Sequence, residues 1–426
     1  MKSIYATLAC FLCLNLSAQA NDTLSVDFLK GHLQPIESIE PGTSDYSDLS
    51  FLKKELERVE IVLLGEQGHG DGSSFLAKTR LIKYLHEEMG YNVLAFESGL
   101  ADCYRVWEAI QNGADSLAVF DLGIFPVWAK SKQVQPLFEY ILEQSKTEHP
   151  LILAGFDMQP TGSVLSPAAR YQEIDAYLTD QLGEQWKNKY TQFRKAYENI
   201  AQLFRSPLSQ AEKDQLEQEV NAVSEAILTA GQSRKDLVMA RYIQNLHSTI
   251  SLFTNADMQN PSNTPHVFNI RDKRMAENFE LIMNELYPGE KLIAWGANSH
   301  LGFGRALLGT FEGEEAPEQA MVPAGQYLKI DYQERLYSIA FTSAGGNYGS
   351  MNRPPMDLGT AHPLSLEAQI KKTGMPYAFL GLNHERLKGL RFAARIYGHG
   401  EMSGIWSNMA DAVFYIERME ANEFKK

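Results

Sequence analysis

Cysteine is scarce in this 426-residue chain: there are three, and Cys10 and Cys13 fall within the first twenty residues, leaving Cys103 alone. Past residue 20 the chain therefore has no second thiol with which to close an internal disulfide. It also lacks the thiolates of a multi-cysteine zinc site. Basic charge is in short supply too. Lys plus Arg number 39 against 53 Asp plus Glu, a formal net charge of −14. That balance argues against non-specific nucleic-acid binding and against an anionic membrane partner. Several signatures are missing: no G-x-S-x-G elbow, no G-x-x-x-x-G-K-[ST] phosphate loop, no G-x-G-x-x-G after a strand, and no H-E-x-x-H, since His86-Glu87-Glu88 lacks the second histidine.

Long apolar runs are missing beyond the N-terminus, so no integral membrane segment is expected in the mature chain. The N-terminal run reads as a secretory signal over residues 1–20. Lys2 gives the positive start, Ile4 to Leu16 the apolar stretch, and Ala18-Gln19-Ala20 the A-x-A cleavage site. The expectation is an exported protein, periplasmic where the host has two membranes.

What is present is alternation. "VEIVLLGE" reads as a strand, "SSFLAKTRLIKYLHEEMG" as an amphipathic helix stopped by Gly90, "YNVLAFES" as a strand, "GLADCYRVWEAIQNG" as a helix, and "HPLILAGFDMQ" as a strand. From about Ser166 to Leu252 the text turns helical and charged. "RDKRMAENFELIMNELYPGE" then reads as a helix and "KLIAWGANSH" as a strand; "QYLKIDYQERLYSIAFTSAG" looks like two strands and "DAVFYIE" like the last. The pattern predicts an α/β fold with a mostly parallel central sheet flanked by helices, and a helical insertion forming a lid or subdomain. The expected divisions are a catalytic core over 21–165 and 256–426, interrupted by the insertion over 166–255.

Four apolar runs end alike: "IVLLG" on Glu66 and His69, "VLAF" on Glu97, "LILAGF" on Asp157, and "LIAWGAN" on Ser299-His300. Ligands of open parallel sheets bind beyond the carboxyl ends of the strands. Glu66, His69, Glu97, Asp157 and His300 are therefore predicted to converge on one crevice, with Asp157 and Asn298 contacting substrate. Arg80, on the helix after the Glu66–His69 loop, either lies in solvent or pairs with Glu66 or Glu97, where its fork would keep two carboxylates ionised. Arg271, Met275 and Asn278 share a helical face; they either line the site or brace the helix, and bracing is the expectation.

These residues carry a resemblance. "LLGEQGHG", then Phe75, Lys78, Arg80 and Leu81 in an F-x-x-K-x-R-L helix, then "VLAFES", "GFDMQ", "RDKRMAEN" and "LYPGEKLIAWGANSH" resemble the erythromycin esterase family over most of the chain. The resemblance implies an α/β fold with a helical part closing a cleft. It also implies metal-independent, cofactor-free hydrolysis of a macrolide lactone ester, with His69 activating water and Glu66, Arg80, Glu97 and His300 at the other active-site positions. The motif departs from resistance esterases: Gln67-Gly68 stands where a small residue and Thr are more common, and Trp295 to His300 lacks an earlier histidine.

The residue types support that chemistry independently. An imidazole takes the proton of attacking water, contributing on the order of 10² to 10⁴-fold. A carboxylate, Glu66 or Glu97, fixes its tautomer, and Arg80 or His300 stabilises the oxyanion. The partner implied is a small-molecule ester or lactone. Two other readings use the same residues: a metal-dependent hydrolase with His69, His300, Glu66, Glu97 and Asp157 as ligands, and an exported haem- or iron-binding protein that is not an enzyme. Intact-mass measurement of the exported protein is expected to give a chain starting near Asn21; a mass retaining Met1 to Ala20 contradicts it.

Overall fold

The computed structural model describes residues 24–162, 166–198, 208–255, 264–306, 308–311 and 314–425. The expected signal and the start near Asn21 lie outside the described residues. The principal strands are β1 (Gln34–Pro35), β2 (Ile61–Glu66), β3 (Tyr91–Gly99), β4 (Ile152–Asp157), β5 (Lys291–Ala297), β6 (Leu336–Ser343), β7 (Tyr377–Gly381) and β8 (Ala412–Ile416). The long helices are α1 (Gly72–Met89), α2 (Leu100–Gln111), α3 (Pro167–Leu182), α4 (Gln210–Ala230), α5 (Arg234–Asn255) and α6 (Thr264–Leu281). They fall in two compact units. One comprises the described residues up to Gly90, Ser131–Leu137, and those from Ile293 onward; the other comprises Tyr91–Lys130 and those of Phe138–Leu292.

In the first unit the strands run in the order β1-β7-β8-β6-β2-β5. β2 pairs parallel with β6, and β6 with β8, while β7 and β1 add antiparallel pairs at the edge. Ile61 to Leu64 are fully buried, as expected of a parallel strand covered on both faces, where apolar residues run on instead of alternating. α1 ends where Gly90 adopts φ 70 and its N–H returns to Leu85 O, the left-handed cap that glycine tolerates best.

One expectation fails in this unit. Of the two strands expected in "QYLKIDYQERLYSIAFTSAG", the first is a helix, Ala324–Tyr332, and only β6 is a strand. The buried residues Ala324, Leu328 and Tyr332 recur every four positions, while Ile330 is 63% exposed. The period is helical, and the local alternation around Leu328 and Ile330 imitates a strand.

In the second unit β3 pairs parallel with β4, and the helical text forms as expected. Ser209 caps α4 reciprocally with Glu212, and Leu216, Val220, Val223 and Ile227 bury one stripe of it. α6 docks on β4 through stacked Phe156 and Phe279 rings 4.4 Å apart. Asn278 Nδ2 donates to Phe156 O at 3.0 Å. Cys103 is a free, buried thiol, and burial, with the Asp102 and Asp157 charges, holds its pKa well above the ordinary value. No helix among the described residues is long and apolar enough to cross a membrane.

Gly65, near the end of β2, is fixed by close packing. A Cβ there would lie 2.1 Å from Asn298 Oδ1 and 3.0 Å from Asn298 Cα. Gly65→Ala is expected to destabilise the protein by about 1–3 kcal/mol or more. Gly31→Ala, within a helix and with nothing within 4 Å, is expected to be neutral or stabilising by about 0.5–1 kcal/mol. Denaturant midpoints of the two variants check the contrast.

Candidate active site

Glu66 and His69 belong to one hydrogen-bonded cluster, in the first unit, and Glu97 and Asp157 to another, in the second. In the first, Glu66 closes β2 with its side chain fully buried. Its Oε1 lies 2.9 Å from His69 Nδ1, and its Oε2 accepts from Lys78 Nζ at 2.6 Å. Lys78 is itself fully buried. Nζ also donates to Gly296 O at 3.3 Å and lies 4.8 Å from the centre of the Trp295 ring. A buried carboxylate and ammonium are tolerable only because each neutralises the other. His69, by contrast, keeps 31% of its side chain exposed.

The loop after Glu66 is clamped from several sides. Gln67 Nε2 donates to the carbonyls of Arg395 and Gly398, and its Oε1 accepts from Ser343 Oγ at 3.0 Å. Gly68 N–H donates to Asp71 Oδ2 at 2.9 Å. Gly70 O accepts from Gly349 N at 2.9 Å and from Asn422 N at 2.8 Å. A Cβ on Gly70 would fall 2.0 Å from Gly349 O. These glycines are required by the close approach of the 347–357 hairpin and the C-terminal tail, not by their backbone angles.

The one-turn helix Asn298–Leu301 follows β5 in the same unit, and His300 is buried within it. The expected role of Asn298 in substrate binding is not supported. Its Nδ2 donates to Phe341 O at 2.9 Å and Ile396 O at 2.7 Å, and its side chain packs on Gly65. It is a buried tie between chain segments.

Arg80 requires a second correction. It pairs with neither Glu66 nor Glu97. Its fork grips Asp48 at 2.6 and 2.9 Å and the carbonyls of Ser38 and Asp45 at 2.8 and 2.7 Å. It fastens the lead-in segment to α1. Burial works against the Asp48 charge, but Arg80 and the Glu37 amide outweigh it and hold its pKa below the ordinary value. Lys78 takes the place at Glu66 that the sequence reading offered to Arg80. The two residues are two positions apart on one helix, and Lys78 follows Phe75 by three, on the same apolar stripe. A lysine on that stripe is the signal that marks it as a buried partner for a carboxylate.

In the second unit, Glu97 lies near the end of β3 and Asp157 ends β4. Both are bound by Arg271 of α6: Nη2 reaches Glu97 Oε1 at 2.9 Å and Asp157 Oδ2 at 2.6 Å, and Nε donates to Asp157 Oδ1 at 3.2 Å. Burial opposes the guanidinium charge, yet the Asp157 and Glu97 carboxylates prevail and keep its pKa above the ordinary value. Arg271 therefore joins the acids; Met275 and Asn278 brace the helix as expected. Asp157 is committed to Arg271 and to the Gln159 amide, which donates to Oδ1 at 3.1 Å. Among the described residues no group of three or more His, Cys, Asp or Glu side chains is spaced to hold a metal ion.

Residues 86–416 match the family described as erythromycin esterase. The chain belongs to the erythromycin esterase family. It is 28% identical over 424 residues, 92% of this chain and 90% of the other, to a Bacillus subtilis (strain 168) protein named "Putative hydrolase YbfO". Solved structures share its fold, among them these two. One, described as a succinoglycan biosynthesis protein, has a TM-score of 0.75 at 17% identity, covering 94% of this chain and 98% of its own. The other, a mutant of the erythromycin esterase EreC in its open conformation, has a TM-score of 0.64 at 18% identity, covering 90% of this chain and 97% of its own. At such identities the likeness concerns fold alone.

Removing Lys78 takes the ammonium partner away from the buried Glu66 carboxylate. Lys78→Met is therefore expected to cost about 3–5 kcal/mol and to disorganise the Glu66–His69 pair, so hydrolysis is lost with stability. Arg80→Met is expected to lower stability while sparing turnover; equal loss of turnover would return Arg80 to the site. A further check is acid stability. Because the folded pKa of Asp48 is depressed, its contribution is fully present above its ordinary pKa, about 4, and is lost as pH falls through the folded value. Asp48→Asn is expected to lower stability at neutral pH and to flatten its fall in acid, as read by urea midpoints between pH 7 and 3.

Proposed function

We propose that this hydrolase-family protein cleaves a carboxylic ester or macrolide-type lactone with water activated by His69, without a metal or organic cofactor. One observation carries the reading: a partly exposed imidazole is held at Nδ1 by a fully buried carboxylate, 2.9 Å away, whose other oxygen is neutralised by Lys78. A carboxylate at Nδ1 selects the tautomer with the proton there and makes Nε2 the basic nitrogen. Nε2 takes a proton from water as the water oxygen attacks the carbonyl carbon. The imidazolium formed is stabilised by Glu66. As the tetrahedral intermediate collapses, the C–O bond breaks and the proton passes to the departing alkoxide. His300 is proposed to stabilise the oxyanion, as the family pattern implies, and Glu97 to contribute with Arg271. Arg80 is dropped from this set.

The family name and the hydrolase named in Bacillus subtilis support the reaction class; the carboxylic ester and the macrolide lactone are this proposal's own. Action after export is proposed from the N-terminal pattern, and cell fractionation tests it. The decisive experiment is a panel of esters and lactones with purified protein. His69→Ala is expected to lose on the order of 10² to 10⁴-fold in turnover with its fold intact. Glu97→Gln is expected to lose most of the rate. If His300→Ala is inactive while His69→Ala turns over normally, the base is His300. Sensitivity to chelators would move the metal-dependent reading forward.

A further inference from the structure

Next to the Glu66–His69 pair lies a second carboxylate and imidazole, which the hydrolysis as derived does not use. Asp71 stands at the N-cap of α1, where an aspartate ordinarily accepts from the first helical amides; this one makes no such bond. Its carboxylate turns instead into the loop. Oδ2 accepts the Gly68 N–H at 2.9 Å, and the Asp71 N–H returns to Gly68 O at 3.3 Å. Asp71 thus grips the residue that precedes His69. Its other oxygen, Oδ1, lies 3.1 Å from His399 Nε2, at ion-pair distance but without hydrogen-bonding alignment.

His399 covers the same loop. A Cβ on Gly68 would fall 3.3 Å from His399 Nε2 and 2.7 Å from the Tyr348 ring. Tyr348 stands edge-on to His399 with ring centres 5.4 Å apart. The His399 segment is itself anchored: Arg395 Nε donates to His399 O at 2.5 Å, and Arg395 Nη2 to Leu358 O at 2.6 Å. Gln67, the loop's second residue, donates to Gly398 O at 3.2 Å.

Charge supplies the reason for an imidazole here. Asp71 is fully buried, and Glu66 nearby is negative too. Burial raises the Asp71 pKa; Glu66 adds to this, while His399 and the Gly68 amide oppose it. Lys78 is committed to Glu66. Tyr348 is neutral, burial foremost raising its pKa, and Arg395 directs its guanidinium to backbone carbonyls and to Glu401 at 3.6 Å. The His399 imidazole is the group that faces Asp71 Oδ1.

We propose that the facing Asp71 and His399 side chains set the shape of the Gly68–Asp71 loop, and that both are positioning residues for His69. The proposal rests on His69 acting as the base. Asp71→Asn replaces the carboxylate with an amide, and His399→Gln removes the imidazole that faces it. Either change loosens the grip on Gly68 and lets the His69 ring swing from Glu66.

The test uses the full chain with ¹⁵N-labelled histidine, in Asp71→Asn, His399→Gln and the double variant. The His69 resonances are assigned by their loss in His69→Ala. The wild type is expected to show an Nδ1–H protected from exchange by Glu66, and each variant to lose that protection while keeping near-native near-UV circular dichroism. On a substrate found in the ester and lactone panel, kcat is expected to fall on the order of 10²-fold with KM little changed, the scale of a misplaced catalytic group. The double variant is expected to lose no more than the worse single variant, because one interaction is removed in all three. Unchanged His69 protection and titration in both single variants overturns the proposal, as do losses that multiply in the double variant. If Asp71→Asn fails to fold, His399→Gln decides alone, its side chain lying in an anchored loop. The resonance measurement needs no substrate, so it stands even if the panel finds none, an outcome that counts against the proposed hydrolysis instead.

Discussion

The buried ion pair between Lys78 and Glu66 is the constraint around which the first unit's site is arranged. A carboxylate at the end of a parallel strand, wholly removed from water, is stable only with a cation beside it. α1 supplies that cation two turns in, on its apolar stripe, with Trp295 and Gly296 around it. Once the charge is neutralised, Glu66 can spend its second oxygen on His69. The imidazole is thereby oriented by a group that cannot move, because the strand and the helix that hold it are both part of the core.

The loop between Glu66 and α1 is fixed as firmly as the pair. Gln67 ties it to the carboxyl end of β6 and to the Arg395–Gly398 segment. The backbones of Gly349 and Asn422 bind Gly70 O. Asp71 folds the loop back on Gly68. Small residues are needed wherever a second backbone or ring comes within contact distance, which accounts for Gly65, Gly68 and Gly70 together. A loop held at this many points positions its one half-exposed side chain, His69, on a rigid support.

The second unit solves the same charge problem differently. Glu97 and Asp157 lie at or near the ends of adjacent parallel strands, and like charges placed together repel. One arginine from α6 binds both, and α6 is held to β4 by Phe279 and Asn278. The cost of burying these acids is offset by a single planar fork rather than by two separate lysines. A planar fork suits two carboxylates held side by side.

By itself the sequence determined the alternation of strands and helices, the helical stretch from α3 to α5, and the strand-end positions of Glu66, His69, Glu97, Asp157 and His300. Each is a local property, an apolar run that stops or a stripe that repeats. Tertiary structure decided the partners. Arg80 goes to Asp48 and Lys78 to Glu66, because a helix buried on nearly every side offers each residue a different neighbour, and spacing along the helix does not say which carboxylate lies there. Arg271 reaches Glu97 and Asp157 across more than a hundred residues of chain. Asn298 turns inward onto Gly65 although its motif suggests an open crevice. Asp71 and His399 meet across 328 positions, a distance over which no pattern in the chain carries information, so only the packing of the loop under the C-terminal segments brings them together.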